Sequence, residues 1–172
     1  MSTALKMPAA SESARGAAVK PHYLESLKLV ERLHRCLLDV VKDEFDQHKR
    51  DDVNAIQALL IYNIGDQELS ASELRARGYY LGSNVSYNVK KLVDIGYLHH
   101  HRSRIDRRAV RISLTEKGRE VHDIVKKLYE KHVGVIEHLG GVSVEDFQRM
   151  NHALARLERF WSYQIQYRQP LE

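Results

Sequence analysis

The sequence is poor in the residues that most often carry covalent or metal chemistry. It holds one cysteine, Cys36, in 172 residues. A single thiol excludes an internal disulfide framework and a cysteine-built zinc site, and it suits a reducing cytoplasm. Long apolar runs are missing too. The longest uncharged stretch in the helical middle runs from Val53 to Gly65, whereas a membrane-spanning helix needs about 20 residues. The N-terminal segment has no continuous apolar stretch, so neither a secretory signal nor a membrane partner is expected. No phosphate-cradling glycine loop, Ser-His-Asp context or paired-carboxylate pattern is visible, which argues against an enzyme and against a cofactor. No internal repeat appears.

What is present is an uneven distribution of charge. The formal net charge is +4. Between residues 70 and 119 there are eleven Lys and Arg against four Asp and Glu, a net of +7, so the rest of the chain carries −3. Basic charge gathered in one segment is the electrostatic footprint of a polyanionic partner. A solvated basic face would look the same in composition, so the order of elements has to decide.

Residues 1–19 mix Ala, Ser, Gly and Lys without periodicity and read as a flexible arm. Pro21 suits the first turn of a helix. Leu24, Leu27, Val30, Leu33, Leu37, Val41 and Phe45 then recur at helical spacing, giving a long helix within residues 20–50. Asp51 and Asp52 offer an N-cap for a second helix that ends at Gly65. Ser70-Ala71-Ser72-Glu73 fits a capping box for a short helix stopping near Gly78. Ser83 can cap the next, which ends before Gly96. From Tyr97 to Arg104 and from Ala109 to Leu114 the period becomes two, as in paired strands. Thr115 caps a further helix whose stripe runs unbroken to Gly140-Gly141, and Ser143 opens a last one.

The fold class expected is mainly α, with a small α+β part: a winged helix-turn-helix lobe over residues 51–116 with a small antiparallel wing. A helix at 20–50 and the helices at 117–172 form an all-helical dimerisation lobe from both chain ends. At about 100° per residue, Val85, Val89, Leu92 and Val93 share one side of the helix that starts near Ser83. Ser83, Asn84, Ser86, Tyr87, Lys90 and Lys91 are the candidates to meet double-stranded DNA. A reading helix presents its first residues to base edges in the major groove, and lysines suit phosphates. In the hairpin, Arg102, Arg104, Arg107 and Arg108 are candidates for the minor groove, where negative potential is focused. Asp106 would repel phosphate, so it is read as pairing with an arginine and shaping the loop.

The run from Asp106 to Gly118, D-x-R followed by L-T-x-x-G, resembles the wing signature of MarR-type transcriptional regulators. Lys91 to Leu98 resembles the end of their recognition helix, and the likeness extends from Pro21 to about Tyr167. The resemblance implies a homodimer on a pseudo-palindromic operator, often repressing until a small ligand binds. It also implies that Asp106 orients the wing and that Arg108 enters the minor groove. The connection from Arg77 to Ser83, with two adjacent tyrosines, departs from the pattern. That segment resembles an alphaproteobacterial subgroup linked to cell-wall L,D-transpeptidase genes.

Dimerisation also follows from the apolar stripes. Leu24, Leu27 and Val30 on the first helix and Phe147, Leu154, Leu157 and Trp161 on the last need a twofold mate to cover them. A small aromatic or phenolic ligand would find His34, Val41, Leu59 and Tyr62 as lining, although each also suits a plain core. Cys36 lacks a resolving cysteine in its own chain, and His99-His100-His101 on a strand can offer at most two ligands to one ion. No metal site is therefore expected. The alternatives are a winged-helix module for an acidic protein partner, or a redox or metal sensor of the same fold.

Overall fold

The computed structural model describes residues 9–70, 73–74, 82–102 and 110–167. The order is α1 (Ala9–Gln47), α2 (Ala55–Ile64), α3 (Gly82–Asp94), β1 (Leu98–Arg102), β2 (Val110–Leu114), α4 (Glu116–Val133), α5 (Ile136–Gly140) and α6 (Val144–Tyr167). The chain divides into two compact units, residues 1–125 and 126–172, with the division inside α4.

In the first unit, α1 is longer than the sequence reading expected. It begins at Ala9, so half of the supposed arm is helical, and Pro21 lies inside the helix rather than in its first turn. Five alanines between Ala9 and Ala18 explain the early start, since alanine has the highest helix propensity. Pro21 forfeits one backbone hydrogen bond there, but the helix continues on both sides. The far end of α1 is anchored by Val41 and Phe45, which are buried.

The cap of α2 is Asn54, not Asp51 or Asp52. Its side chain accepts from the Gln57 backbone N–H at 2.9 Å, and the Gln57 side chain accepts from the Asn54 N–H at 3.2 Å, a complete capping box. Behind it Ala58, Leu59, Leu60, Ile61 and Ile64 are all buried. Ser70 and Glu73 form the second box as expected: Glu73 N–H donates to Ser70 Oγ at 3.1 Å, and Ser70 N–H donates to Glu73 Oε2 at 2.6 Å.

Strands β1 and β2 pair antiparallel, with Leu98 opposite Leu114 and His100 opposite Ile112. Periodicity gave no hint of a third participant. Leu69 bridges the outer edge of β2, exchanging two backbone hydrogen bonds of 2.9 and 2.8 Å with Ile112. The chain before α3 is thereby sewn to the hairpin. Leu69, Leu74, Leu92, Tyr97, Leu98, Ile112 and Leu114 close the core of this lobe, together with Val121 and Val125.

The second unit departs from expectation once. The helix opened by Thr115 does not run to Gly140; it stops at Val133, and a short α5 restarts at Ile136. Gly134 still donates to Glu130 at 3.1 Å, but Val135 donates to His132, three residues back, at 3.0 Å. A glycine followed by a β-branched residue is a weak place in any helix. Helix α6 starts as expected, with Asp146 N–H donating to Ser143 Oγ and Ser143 N–H to Asp146 Oδ2, each at 3.1 Å. None of its residues is buried within the single chain.

Candidate nucleic-acid interface

Helix α3 is strongly two-faced. Val89 and Leu92 are buried, whereas Ser86, Tyr87, Lys90 and Lys91 are exposed, Tyr87 to 67%. Tyr87 thus stands on the same outward face as Ser86, Lys90 and Lys91. The helix begins at Gly82, one residue before the expected cap. Ser83 and Asn84 lie in its first turn, but their side chains fall outside the described residues. Its end is well defined. Gly96, at φ +81°, donates to Val93 at 3.0 Å, and Tyr97 donates to Leu92 at 2.8 Å, the Schellman pattern. That stop turns the chain directly into β1.

The expected wing is only partly in view. The Arg102 backbone ends β1, while its side chain and all of Arg104, Asp106, Arg107 and Arg108 lie outside the described residues. The root of the hairpin is fully described, and it explains the L-T-x-x-G pattern. Thr115 Oγ1 lies 2.7 Å from Gly96 O and 3.1 Å from Tyr97 O, and it accepts from Gly118 N–H at 3.0 Å. Gly118 sits against Tyr97 so closely that a Cβ there would stand 2.3 Å from the Tyr97 carbonyl oxygen. Only glycine fits.

Tyr97 is also the centre of a polar latch. Its hydroxyl donates to Asp52 Oδ2 at 2.5 Å, and Lys117 Nζ lies 3.1 Å from the same oxygen and 4.1 Å from the ring centroid. Arg50 pairs with Glu120 alongside. Burial pushes the Tyr97 phenol above its usual value, and donation to Asp52 adds to this. The Asp52 carboxyl is held below the usual range chiefly by the Tyr97 hydroxyl, with Lys117 assisting against the opposing effect of burial. Lys117 is raised first by its bond to Asp52. Asp52, expected to cap a helix, instead joins the start of the lobe to the hairpin root and α4.

These contacts refine the charge count. Arg111 donates to Glu73 Oε2 at 2.7 Å, Lys117 meets Asp52, and Arg119 meets Glu116 at 3.1 Å. Among the described residues, Arg111, Lys117 and Arg119 are thus paired with carboxylates of this unit. A further polar link was missed altogether: buried Gln57 donates through Nε2 to Asn88 Oδ1 at 3.2 Å, joining α2 to α3. The Asn54-x-x-Gln57 spacing carried the signal for the cap, but not for the partner on α3.

A family model described as a winged helix DNA-binding domain matches residues 53–118. The exopolysaccharide II synthesis transcriptional activator ExpG of Rhizobium meliloti (strain 1021) is 32% identical over 145 residues, covering 84% of this chain and 74% of that protein. Among solved structures, the transcriptional regulator SlyA superposes with a TM-score of 0.68 at 17% identity, over 83% of this chain and 98% of that one. FabT of Streptococcus pneumoniae, solved in complex with DNA, gives 0.63 at 23% identity, over 81% and 97%. AbsC of Streptomyces coelicolor, a MarR family transcriptional regulator, gives 0.61 at 16% identity, over 81% and 93%. The chain belongs to the MarR family of winged-helix transcriptional regulators.

As a MarR-family member it is a DNA-binding regulator, and α3 and the β1–β2 hairpin are the candidates for its reading helix and wing. The other sequence candidates are scattered. Val41 and Leu59 are closed into the core, His34 is exposed on α1, and Tyr62 stacks on His122 with ring centroids 5.3 Å apart. A cleft of about 440 Å³ opens between α3 and the hairpin, bordered by Ser86, Val89, Lys90, Val93, Asp94, His100 and Ile112. Cys36 is exposed on α1. His101 lies 3.5 Å from Glu68, and His99 and His100 are exposed. Among the described residues no three His, Cys, Asp or Glu side chains are grouped to share a metal ion, and no helix is long and apolar enough to cross a membrane. Of the expected interface residues, Leu24, Val30 and Leu154 are exposed, while Leu27, Phe147, Leu157 and Trp161 are half-buried.

Proposed function

We propose that this regulator works in the cytoplasm as a homodimer on a pseudo-palindromic operator, with α3 of each copy in the major groove and each hairpin reaching an adjacent minor groove. The observation that carries the reading is the outward face of α3, where Tyr87, Lys90 and Lys91 are exposed beside Ser86 on a helix held by Val89 and Leu92. Ser83 and Asn84 at its start, and Arg102, Arg104, Arg107 and Arg108 in the hairpin, complete the proposed contact set, with Asp106 shaping the loop. Selection from randomised duplexes tests it. The protein should enrich one inverted repeat, and Tyr87→Ala and Lys90→Ala should each weaken binding to it by about 1–3 kcal/mol. Enrichment of no sequence would favour the interaction-module alternative.

The mate is proposed to be a second copy. Leu24 and Val30 on α1 and Met150, Leu154 and Phe160 on α6 are each 38–46% exposed, and no residue of α6 is fully buried within its own chain. A monomer rarely leaves such stripes to water. Repression relieved by a small ligand is the proposed mode of control, although the relative ExpG is named as an activator.

A small-ligand response is supported by the cleft beside α3. Its walls are mostly Val89, Val93 and Ile112, with Lys90, Asp94 and His100 at the edge. That volume and lining suit a single-ring aromatic acid. The solved structure of Bordetella bronchiseptica BpsR concerns regulation of its DNA binding by 6-hydroxynicotinic acid. A ligand seated here would occupy Ser86 and Lys90, and it should compete with DNA.

A further inference from the structure

Among the described residues Gln57 is the one polar side chain buried with the core, 1% exposed. Its amide is fixed before it reaches α3. The Gln57 backbone N–H donates to Asn54 Oδ1 and its Oε1 accepts from Asn54 N–H, so the capping box leaves the side chain little freedom. The donor that remains, Nε2, is aimed at Asn88 Oδ1 on α3 at 3.2 Å. Asn88 is half-buried and sits between exposed Tyr87 and buried Val89. It therefore lies at the border of the packed and presented faces.

Val89 and Leu92 add an apolar hold on α3. Apolar burial is non-directional. It keeps the helix down but constrains its rotation less sharply than a directional contact does. A hydrogen bond is directional and fails within a few tenths of an ångström past its range. Turning α3 by about 30° moves a Cα on its roughly 2.3 Å cylinder by about 1.2 Å, and a side-chain tip further. That is enough to break the Gln57–Asn88 bond. It is also enough to misalign every base-edge contact, which needs placement within about 0.5 Å and 10–20°.

We infer that Gln57 and Asn88 are positioning residues that set the rotation of α3, and through it operator discrimination, without touching DNA. The inference rests on the reading that α3 enters the major groove. The test uses the full chain and two duplexes: the operator recovered by selection, and the same duplex with both half-sites scrambled. Asn88→Leu removes the acceptor. It should lower the operator-to-scrambled affinity ratio by at least about tenfold, comparable to one mismatched base pair. Binding to the scrambled duplex and its salt slope should stay near wild type, because phosphate contacts remain. Asn88→Asp keeps the acceptor; its charge should weaken both duplexes alike and preserve the ratio. Gln57→Met added to Asn88→Leu should cost no further discrimination. If Asn88→Leu does not fold, Asn88→Ser, which shortens the side chain out of reach, replaces it with the same expectation.

An unchanged ratio in Asn88→Leu or Asn88→Ser overturns the inference. A ratio lost equally in Asn88→Asp also overturns it, and would make Asn88 a base reader. If the wild-type chain does not discriminate the two duplexes, the DNA-reading proposal itself fails, which is a separate result.

Discussion

At the scale of single residues, the lobe depends on a few positions where chemistry leaves no choice. Gly118 is the sharpest. A Cβ 2.3 Å from the Tyr97 carbonyl cannot be relieved by a side-chain rotation, because the obstacle is backbone. Gly118→Ala should therefore destabilise the protein by about 1–3 kcal/mol or more in urea unfolding, although the substitution removes no contact. The Tyr97 latch makes a pH prediction. Tyr97 and Lys117 are raised in the folded state, so their contribution is present below the unfolded values near about 10 and is lost as pH climbs through the raised ones. Asp52 is lowered, so its contribution is present above about 3.9 and is lost as pH falls through the lowered value. Tyr97→Phe should cost about 1 kcal/mol at neutral pH and should flatten the alkaline fall in stability. Parallel curves for the two proteins would refute the latch. The L-T-x-x-G run marked Gly118, but the latch was not legible in advance. Asp52 and Tyr97 are 45 positions apart, and an Asp before a helix looks like a cap whether or not a distant hydroxyl claims it.

At the scale of elements, periodicity and caps did most of the work. The Ser70, Thr115 and Ser143 caps formed as read, and the hairpin follows the alternation of Val110, Ile112 and Leu114. The misses have distinct physical causes. Leu69 joins the sheet through one residue, too short to show a period. The early start of α1 comes from alanine propensity without an apolar stripe. The break after Val133 lies at a glycine inside an otherwise sound pattern. That last cause can be checked. A Cβ on Gly134 would meet nothing closer than 3.6 Å. Gly134→Ala should therefore raise helical content by circular dichroism and stabilise the chain by about 0.4–1 kcal/mol. A loss of stability would mean that the break is required by packing rather than permitted by glycine.

At the scale of the whole molecule, charge placement and exposed apolar surface govern what the chain can bind. The segment from residue 70 to 119 carries +7 in a chain of +4, so DNA binding should weaken steeply with salt as counterions are released. The family and fold class were readable from the wing pattern and the order of helices. The cleft between α3 and the hairpin was not, because its lining comes from separate elements that only the fold brings together. A chain of 19.9 kDa should elute with twice that mass by light scattering, and Leu154→Arg should shift it toward the monomer and abolish tight operator binding.

The most direct test of the central claim is a footprint on the selected operator. Two copies of α3 on a twofold axis should protect two half-sites whose centres lie about 10–10.5 base pairs apart, or a multiple of that, with two chains bound per duplex. A single protected half-site with one chain bound, or protection without sequence preference, would contradict it.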